Sequence, residues 1–315
     1  MDNTMVVSVS PHLRAKEDTR NVMRDVVIAL LPAVVASVII FGFRALLVEC
    51  VCVATAVICE WAFEKITKRQ NTVRDLSAVV TGLLLAMNLP VSIPIWQAIF
   101  GSFVAIIFVK QLFGGIGQNF ANPAITARII MFIAFSGTMS SWAVPSGIGS
   151  WLNADAVTSA TPLRLLELEQ YEDLPSVAQM FLGWRGGCLG ETSCLALLIG
   201  GIYLIVRRVI TWHTPVVYLA TVFVLTALLG ESPVYQLLGG GIWLGAIFMA
   251  TDYVTSPPTP AGKIIFGLGC GLITVLIRVY GSYPEGCSFS ILLMNILSPY
   301  ISKWTQPKPF GGVKA

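Results

Sequence analysis

Charged residues are scarce in this sequence. Only 12% of its 315 residues are Asp, Glu, Lys or Arg, and 55% are hydrophobic. About a quarter of the residues of an average soluble domain are charged. The mean hydropathy of +0.77 agrees with this imbalance. The composition excludes an ordinary soluble domain and predicts an integral membrane protein.

Three further absences narrow the function. The first twenty residues have no apolar core of the kind a signal peptide needs, so no cleavage is expected there. The seven cysteines form no C-x-x-C pair, which makes an iron–sulfur cluster or another metal site held by this chain alone unexpected. The net charge is only +3, and the basic residues are scattered rather than gathered with aromatics, so nucleic acid is not an expected partner.

Apolar segments recur along the chain at the length of a membrane span, about 20 residues. Ten are predicted, at about 22–43, 45–63, 76–89, 94–113, 122–142, 187–206, 214–230, 234–250, 263–280 and 287–301. The third stops before Pro90 and is only about 21 Å long as a helix, which is too short for a hydrocarbon core of about 30 Å. It is therefore predicted to be interrupted.

The predicted fold is an all-α integral membrane protein with about ten transmembrane helices in two inverted five-helix repeats with broken third helices. An odd number of spans in each repeat inverts the second relative to the first. The predicted divisions are a cytoplasmic segment at 1–21, a first repeat at 22–142, an outer loop at 143–186, a second repeat at 187–302 and a cytoplasmic tail at 303–315. Asn88 and Asp252 lie at the predicted breaks and are the candidate residues of an ion path near the membrane middle.

The distribution of Lys and Arg predicts the orientation. With the N-terminus in the cytoplasm, fifteen of the 20 basic residues face the cytoplasm, four face outward and one lies inside a span. The chain is thus expected to cross the inner, cytoplasmic membrane several times with both termini in the cytoplasm. Lys110 and Arg278, near span ends, are expected to extend their charges toward the membrane surface.

A polar stretch of small residues interrupts the apolar pattern at 155–163, with the sequence Asp-Ala-Val-Thr-Ser-Ala-Thr-Pro-Leu. It resembles the D-x-x-[ST]-G-A-T signature at which a flavin transferase joins FMN through its phosphate to the last threonine, here Thr161. The alternative interpretation is a Thr/Ser cluster that caps a helix in a surface loop.

The resemblance also assigns roles to the neighbours of this threonine. It implies that Asp155 and Thr158 are recognised by the transferase. Ser159 and Ala160 are small enough for a planar group to lie against the backbone, although Ser159 stands where the signature usually has glycine. The covalent cofactor would then be a phosphoester-linked FMN.

Motifs in the same order along nearly the whole chain resemble the D-type subunit of Rnf ferredoxin:NAD+ oxidoreductase complexes. They lie at 75–78, 113–124, 155–163, 250–252 and 280–286. The chain is also similar to the B-type subunit of the sodium-translocating NADH:quinone oxidoreductase. The resemblance implies an electron-transfer subunit of an ion-translocating ferredoxin:NAD+ oxidoreductase, with no complete active site in this chain alone. It further implies coupling to Na+ or H+ movement.

The same resemblance implies cofactors and partners. Relatives hold riboflavin within the membrane domain in addition to the covalent FMN. The implied partners are the other Rnf subunits, including an outer-face subunit that carries a flavin and membrane subunits that carry iron–sulfur clusters. The outer loop 143–186 is predicted to dock the flavin-bearing partner because it combines an acidic cluster with aromatic residues.

A different class of function fits the predicted repeat without any redox cofactor. A channel or secondary transporter would carry a small solute through the centre formed by the broken helices. The stretch that contains Thr161 favours the redox subunit, because a solute channel has no use for a flavin-attachment signature.

Overall fold

The computed structural model describes residues 18–145, 160–168, 170, 172, 174–281 and 286–307, and the elements in these ranges are helices. The elements of the N-terminal part are α1 (Thr19–Phe41), α2 (Phe43–Thr67), a 3₁₀ turn (Val73–Asp75), α3 (Ser77–Met87), α4 (Ile95–Phe103), α5 (Pro123–Ala134), α6 (Ser136–Met139) and α7 (Pro162–Glu167). Those of the C-terminal part are α8 (Val177–Leu182), α9 (Cys194–Val206), α10 (His213–Leu228), α11 (Pro233–Leu238), α12 (Ile242–Leu244), α13 (Pro260–Tyr280) and α14 (Cys287–Thr305).

Three of these helices, α1, α2 and α13, are long and apolar enough to cross a membrane. Several shorter helices, among them α9 and α10, are also apolar. The prediction of an all-helical membrane protein is therefore confirmed at this level for the described ranges. Many large apolar side chains on these helices remain exposed, as expected for surfaces that face lipid or other proteins.

Two helix boundaries show how local sequence sets the elements. Asn122 caps α5 by accepting hydrogen bonds from the backbone N–H groups of Ala124 and Ile125, and Pro123 occupies the first helical position, as predicted. The prediction that the sixth segment is helical from residue 187 is wrong. The backbone N–H of Gly190 instead donates to the carbonyl of Met87, the last residue of α3, and that of Leu189 to Leu89 in the loop after it; α9 begins only at Cys194.

The helices place two clusters of loops at opposite ends of the bundle. At one end, Arg207 after α9 bonds Asp25 at the start of α1, with N···O distances of 3.1 and 3.2 Å. We call this the basic end because Arg207, Arg208 and the turn after α2 lie there. At the opposite end, Arg44 donates to the carbonyls of the extended loop after α3, including that of Val91 at 2.9 Å. These contacts show at which end of the helix bundle each loop lies.

Two helices continue in π-helical form, with hydrogen bonds from residue i+5 to residue i. After α4, Val104–Gln111 forms such a segment, and the N–H of Leu112 bonds the carbonyl of Ile107 at 3.0 Å. After α12, Gly245–Met249 does the same. Segments of this kind are rare and occur often at functional sites.

Both predicted helix breaks are present. The break after α3 is confirmed, because the helix ends at Met87 and a loop follows. In the second half the π segment ends at Met249 and a loop through Asp252 follows, as predicted, and the chain is also interrupted earlier, at 239–241. Gly240 and Gly241 have φ angles of 71° and 66°, which a residue with a side chain rarely adopts. A Cβ at Gly240 would lie 2.6 Å from Cδ1 of Leu163.

Candidate functional site

Thr161 lies at the opposite end, immediately before α7. Its hydroxyl accepts a hydrogen bond from the backbone N–H of Arg164 at 3.3 Å and thereby caps the helix. The residue is only 5% exposed, whereas Ala160 beside it is exposed. Asp155, Thr158 and Ser159 lie outside the described residues. The helix-capping role that the sequence left open is thus present, and it uses only a lone pair of the hydroxyl oxygen.

The glycine loop 239–241 supports α7. The side chain of Leu163 packs against Gly239 and Gly240 so closely that neither could carry a Cβ without displacing it. The Arg278 guanidinium donates to the carbonyls of both glycines, at 3.0 and 3.4 Å. The sequence missed this role of Arg278, whose charge was expected simply to extend toward the membrane surface. The loop therefore joins Thr161's helix to α13.

A buried ion pair lies behind the same loop. Oε1 of Glu191 accepts a hydrogen bond from the Gly240 N–H at 2.7 Å and is 3.9 Å from Nη2 of Arg185. Nη2 also donates to the Glu191 carbonyl at 2.9 Å. Nε and Nη1 of Arg185 and Oε2 of Glu191 are buried without a hydrogen-bond partner in the described residues. The two side chains are therefore far apart for an ion pair, and their hydrogen bonds are incomplete.

Asn88 belongs to a buried polar contact between the two halves of the chain. Its Oδ1 accepts from Nη1 of Arg128 at 3.1 Å, and the same nitrogen donates to the Ser288 hydroxyl at 2.9 Å. Nη2 of Arg128 is 3.4 Å from the sulfur of Cys188. Arg128 therefore links α5 to α14 and to the loop before α9. This linkage was missed, although an arginine inside an apolar segment is a sequence signal for it.

Asp252 lines a cavity at the basic end, between α1, α3 and the loop after the second π segment. Other polar groups in the lining are those of Ser77, Thr81, Lys110, Asn119, Asn122 and Thr251. The carboxylate of Asp252 accepts hydrogen bonds from its own loop, from the Val254 N–H and the Thr255 hydroxyl. Asn88 does not line this cavity, but its amide nitrogen lies 3.7 Å from the sulfur of Met249, three residues before Asp252.

Lys110 ends in a buried cluster on one wall of this cavity. Its Nζ donates to Oε1 of Glu60 at 2.8 Å and to the Ser77 hydroxyl at 2.7 Å. Glu60 is fully buried, and Lys110 is 3% exposed. The expectation that Lys110 extends to the membrane surface is wrong, because an acid on α2 pairs with it inside the protein. Charged residues near the ends of apolar segments were the signal for this pair.

These features are those of an integral membrane protein. Its apolar helices enclose ionisable side chains at both ends and a mostly apolar cavity that Asp252 lines. Burying such side chains costs several kcal/mol unless they are paired, and ionisable residues inside membrane proteins are often functional.

Comparison with known proteins then gives the family. Residues 6–311 match the family model described as NQR2, RnfD, RnfE family, and the chain belongs to this family. It is 48% identical to the D-type subunit of the Na(+)-translocating ferredoxin:NAD(+) oxidoreductase complex of Acetobacterium woodii, over 98% of this chain and 96% of that protein. It is 44% identical to the D-type subunit of the proton-translocating ferredoxin:NAD(+) oxidoreductase complex of Clostridium ljungdahlii, over 98% of this chain and 97% of that protein. The resemblance to the D-type subunit of Rnf complexes is confirmed.

Proposed function

We propose that the chain is the D-type subunit of an ion-translocating ferredoxin:NAD+ oxidoreductase complex and relays electrons through FMN bound covalently to Thr161. One observation carries the proposal: two relatives named as this part of such complexes match the chain almost from end to end. The chain would act as one part of the enzyme, since ferredoxin and NAD+ would react on other subunits. A full-length match makes transfer of the role far safer than a short motif does.

The surroundings of Thr161 are compatible with a phosphoester. Attachment through Oγ1 replaces the hydroxyl hydrogen and leaves a lone pair that can still accept from the Arg164 N–H. The link would fix the flavin at the exposed side of Ala160 and leave its ring system free for redox chemistry. Because Thr161 is 5% exposed, we expect the transferase to act before α7 packs on the glycine loop 239–241.

Mass spectrometry tests this attachment directly. The chain is co-expressed with a competent flavin transferase, separated on a denaturing gel and digested. We expect flavin fluorescence in the band and a peptide containing Thr161 that carries the mass of FMN. A fully unmodified peptide under these conditions would rule out the covalent cofactor.

We further propose that the ten predicted spans form the two inverted repeats. The spans of the first half would be α1, α2, α3, α4 with its π segment, and α5; those of the second would be α9, α10, α11 with α12, α13 and α14. The basic end would face the cytoplasm of a cell with an inner membrane, with both termini on that side. Thr161 would then face outward, where a flavin-bearing partner subunit would dock on loop 143–186.

Riboflavin within the membrane domain would supply a second one-electron carrier, as the resemblance implies. The cavity at the basic end, of about 100 Å³, is smaller than a flavin ring system and is not assigned to it. Membrane subunits with iron–sulfur clusters would exchange electrons with the flavins of this chain.

A variant of Asp252 tests its role in this relay and in ion movement. Asp252→Asn removes the charge but keeps the size, so we expect assembly and covalent flavin to remain while turnover or its dependence on the ion falls. The measurement is ferredoxin-dependent NAD+ reduction at varied Na+ concentration and pH. Unchanged turnover and unchanged ion dependence would contradict the role. Similarity does not select the ion, because one relative is named for Na+ and the other for protons.

A further inference from the structure

Glu49 is the exception among the buried acids of the described residues. A basic nitrogen lies within 3.9 Å of three of the other four, in the pairs Asp25 with Arg207, Glu60 with Lys110 and Glu191 with Arg185. Glu64, the fourth, accepts from the backbone N–H of Thr72 at 3.1 Å and contacts its hydroxyl. Glu49 is 3% exposed, and within the described ranges its one polar contact is with the hydroxyl of Ser37.

Glu49 lies inside the apolar part of the bundle. α2, to which it belongs, is long and apolar enough to cross a membrane. Glu49 follows Phe43, the first residue of α2, by six residues and so lies about 9 Å along the helix axis from that end. Arg44 marks the same end, because it donates to carbonyls of the loop after α3. The carboxyl group is thus more than one helical turn from the end of α2 and is buried from solvent at that depth.

Charged side chains of the elements that pack against α2 are engaged or distant. α3 and α4 contain no Asp, Glu, Lys or Arg, and Lys110 of the π segment bonds Glu60. On α2 itself, Arg44 bonds the loop carbonyls, and the sulfur of Cys52 is 4.0 Å from the Ala98 carbonyl oxygen. The remaining charged residues of α1, α2 and the 3₁₀ turn lie toward the basic end, namely Arg20, Arg24, Asp25, Glu64, Lys65, Arg74 and Asp75.

The contacts of Ser37 are those expected beside a protonated acid. Its hydroxyl oxygen is 2.6 Å from Oε1 of Glu49 and 2.7 Å from the carbonyl oxygen of Val34. A hydroxyl has one hydrogen, so beside a carboxylate that hydrogen would have to serve two acceptors. If Oε1 carries a proton, the acid donates to Ser37 and Ser37 donates to Val34. Each short contact then has a hydrogen of its own, and Oε2, which has no partner in the described residues, is the carbonyl oxygen of a neutral acid.

We propose that Glu49 is a proton-binding site in the membrane part of the chain, and that at neutral pH it holds a single proton on Oε1. Binding takes this proton from water and converts the carboxylate to the neutral acid, and no electron is transferred. The proton supplies the hydrogen bond through which α2 contacts Ser37 of α1. This inference goes beyond the proposed function and holds with or without FMN on Thr161.

The physical reason is the cost of burying an ionised carboxylate. Such a group is stabilised inside a protein by a cation and by several hydrogen-bond donors, and without them it becomes neutral. Glu49 has no cation and at most the one donor of Ser37. A metal ion in place of the proton would need several oxygen ligands around it, whereas no polar atom of the described residues lies within hydrogen-bond distance of Oε2. A proton needs only the acceptor that Ser37 provides.

Infrared spectroscopy of the purified full-length chain tests the proposal, because the carbonyl band of a carboxylic acid is separate from the bands of carboxylates and of the backbone. Spectra are recorded at neutral pH in a detergent without ester groups. We expect Glu49→Gln to lose the band area of about one carboxylic acid per chain relative to the wild type. The amide N–H of glutamine can donate to Ser37 as the acid does, so the fold should be kept. Equal band areas in the two proteins would overturn the proposal.

Glu60→Gln is the matched control, because it makes the same change in a fully buried acid of the same helix that has a cation beside it. Its band area should equal that of the wild type. A loss as large as that of Glu49→Gln would show that a bonded cation does not decide which buried acid is protonated, and would overturn the argument. Replacing K+ by Na+ at constant pH should leave the wild-type band unchanged. Its disappearance in Na+ would assign the site to that ion and overturn the assignment to a proton.

Ser37→Ala gives an independent test if Glu49→Gln does not fold. It removes the acceptor of the acid's O–H and keeps the carboxyl group. Burying a neutral acid without an acceptor costs less than burying a carboxylate, so we expect the band to keep its area and to shift in frequency. A band at the wild-type frequency would overturn the contact between the protonated acid and Ser37, and loss of the band would overturn the neutral acid.

Discussion

The two buried ion pairs, one at each end of the bundle, differ in how fully their atoms are partnered. Lys110 and Glu60 are 2.8 Å apart, and three donors converge on one carboxylate oxygen. Arg185 and Glu191 are 3.9 Å apart, and three of their polar atoms have no hydrogen-bond partner in the described residues. Burial alone therefore does not make a pair stabilising, because desolvation costs are offset only where the geometry supplies hydrogen bonds.

The difference also separates the proposed functions of the two ends. The basic end has a cavity with Lys110 on its wall, and Glu60 pairs with this lysine inside the protein. The opposite end has Thr161 on a short helix that is held by glycines and by Arg278. Variants at one end should thus leave the chemistry of the other unaffected, and this can be measured.

The largest expected effect is at Thr161. Thr161→Val keeps the size but removes the oxygen, so we expect complete loss of covalent flavin, whereas Thr161→Ser keeps a hydroxyl that can be modified. Flavin fluorescence of the denatured protein band measures covalent flavin in both variants. Glu60→Gln, at the other end, serves as the control and should retain full fluorescence. A Thr161→Val chain that still fluoresces would break the assignment and remove this contrast between the ends.

Lys110→Met should have the next largest effect. It leaves the fully buried Glu60 without its cation, and breaking a buried pair in this way costs about 3–5 kcal/mol. Thermal unfolding of the purified protein in detergent measures the loss. Lys65→Met provides a control with the same chemical change in an exposed residue of α2. Similar unfolding temperatures for the two variants would show that the compact pair is not needed for stability.

The double variant Arg185→Met/Glu191→Gln should behave differently. The amide oxygen of glutamine can still accept from the Gly240 N–H, and two unpartnered buried donors disappear with the arginine. Replacing a buried pair by residues of similar volume is often neutral or stabilising by about 1–4 kcal/mol. We expect no loss of stability in the same unfolding assay. A loss as large as that of Lys110→Met would mean that the two pairs are equivalent.

The smallest effect is expected for Arg207→Gln. Arg207 bonds Asp25 at the basic end; the arginine side chain is 53% exposed, whereas that of Asp25 is 7% exposed. Because water solvates the cation, we expect the pair to contribute, like exposed pairs, about 0–1 kcal/mol, which salt screens. Unfolding temperatures at low and high salt should therefore differ little between this variant and the wild type. A clear drop that salt does not reduce would place this pair with the buried ones.

Local features of the sequence predicted several parts of the structure. The proline after the short third segment predicted the end of α3, and Asn122-Pro123 predicted the start of α5. These signals act within a few residues, because caps and prolines change the backbone hydrogen bonds next to them. The helix capped by Thr161 was the alternative interpretation of the flavin-attachment stretch, and it rests on the same kind of signal.

Contacts between distant segments were not predictable in this way. Hydropathy showed that Glu60 and Lys110 lie near the ends of apolar runs, but it could not show that they pair across 50 positions of sequence. The start of α9 was misplaced because the backbone N–H groups of Leu189 and Gly190 bond to Leu89 and Met87, about a hundred residues away, and the local sequence does not show this contact. Of the flavin motif itself, the structure describes Ala160 and Thr161, and the assignment of FMN stays a prediction.

The π segment after α4 has a consequence for how this family tolerates insertions and deletions. A π turn contains one residue more than the α turn it replaces. Removing one residue between Val104 and Ile107 would convert the segment to an α-helix and rotate everything after it. The neighbouring side chains of Lys110 and Gln111, which both reach Glu60, would then point in more divergent directions. Chains with a one-residue gap here should therefore differ at position 60 as well, which makes the length of this segment a marker for the buried acid.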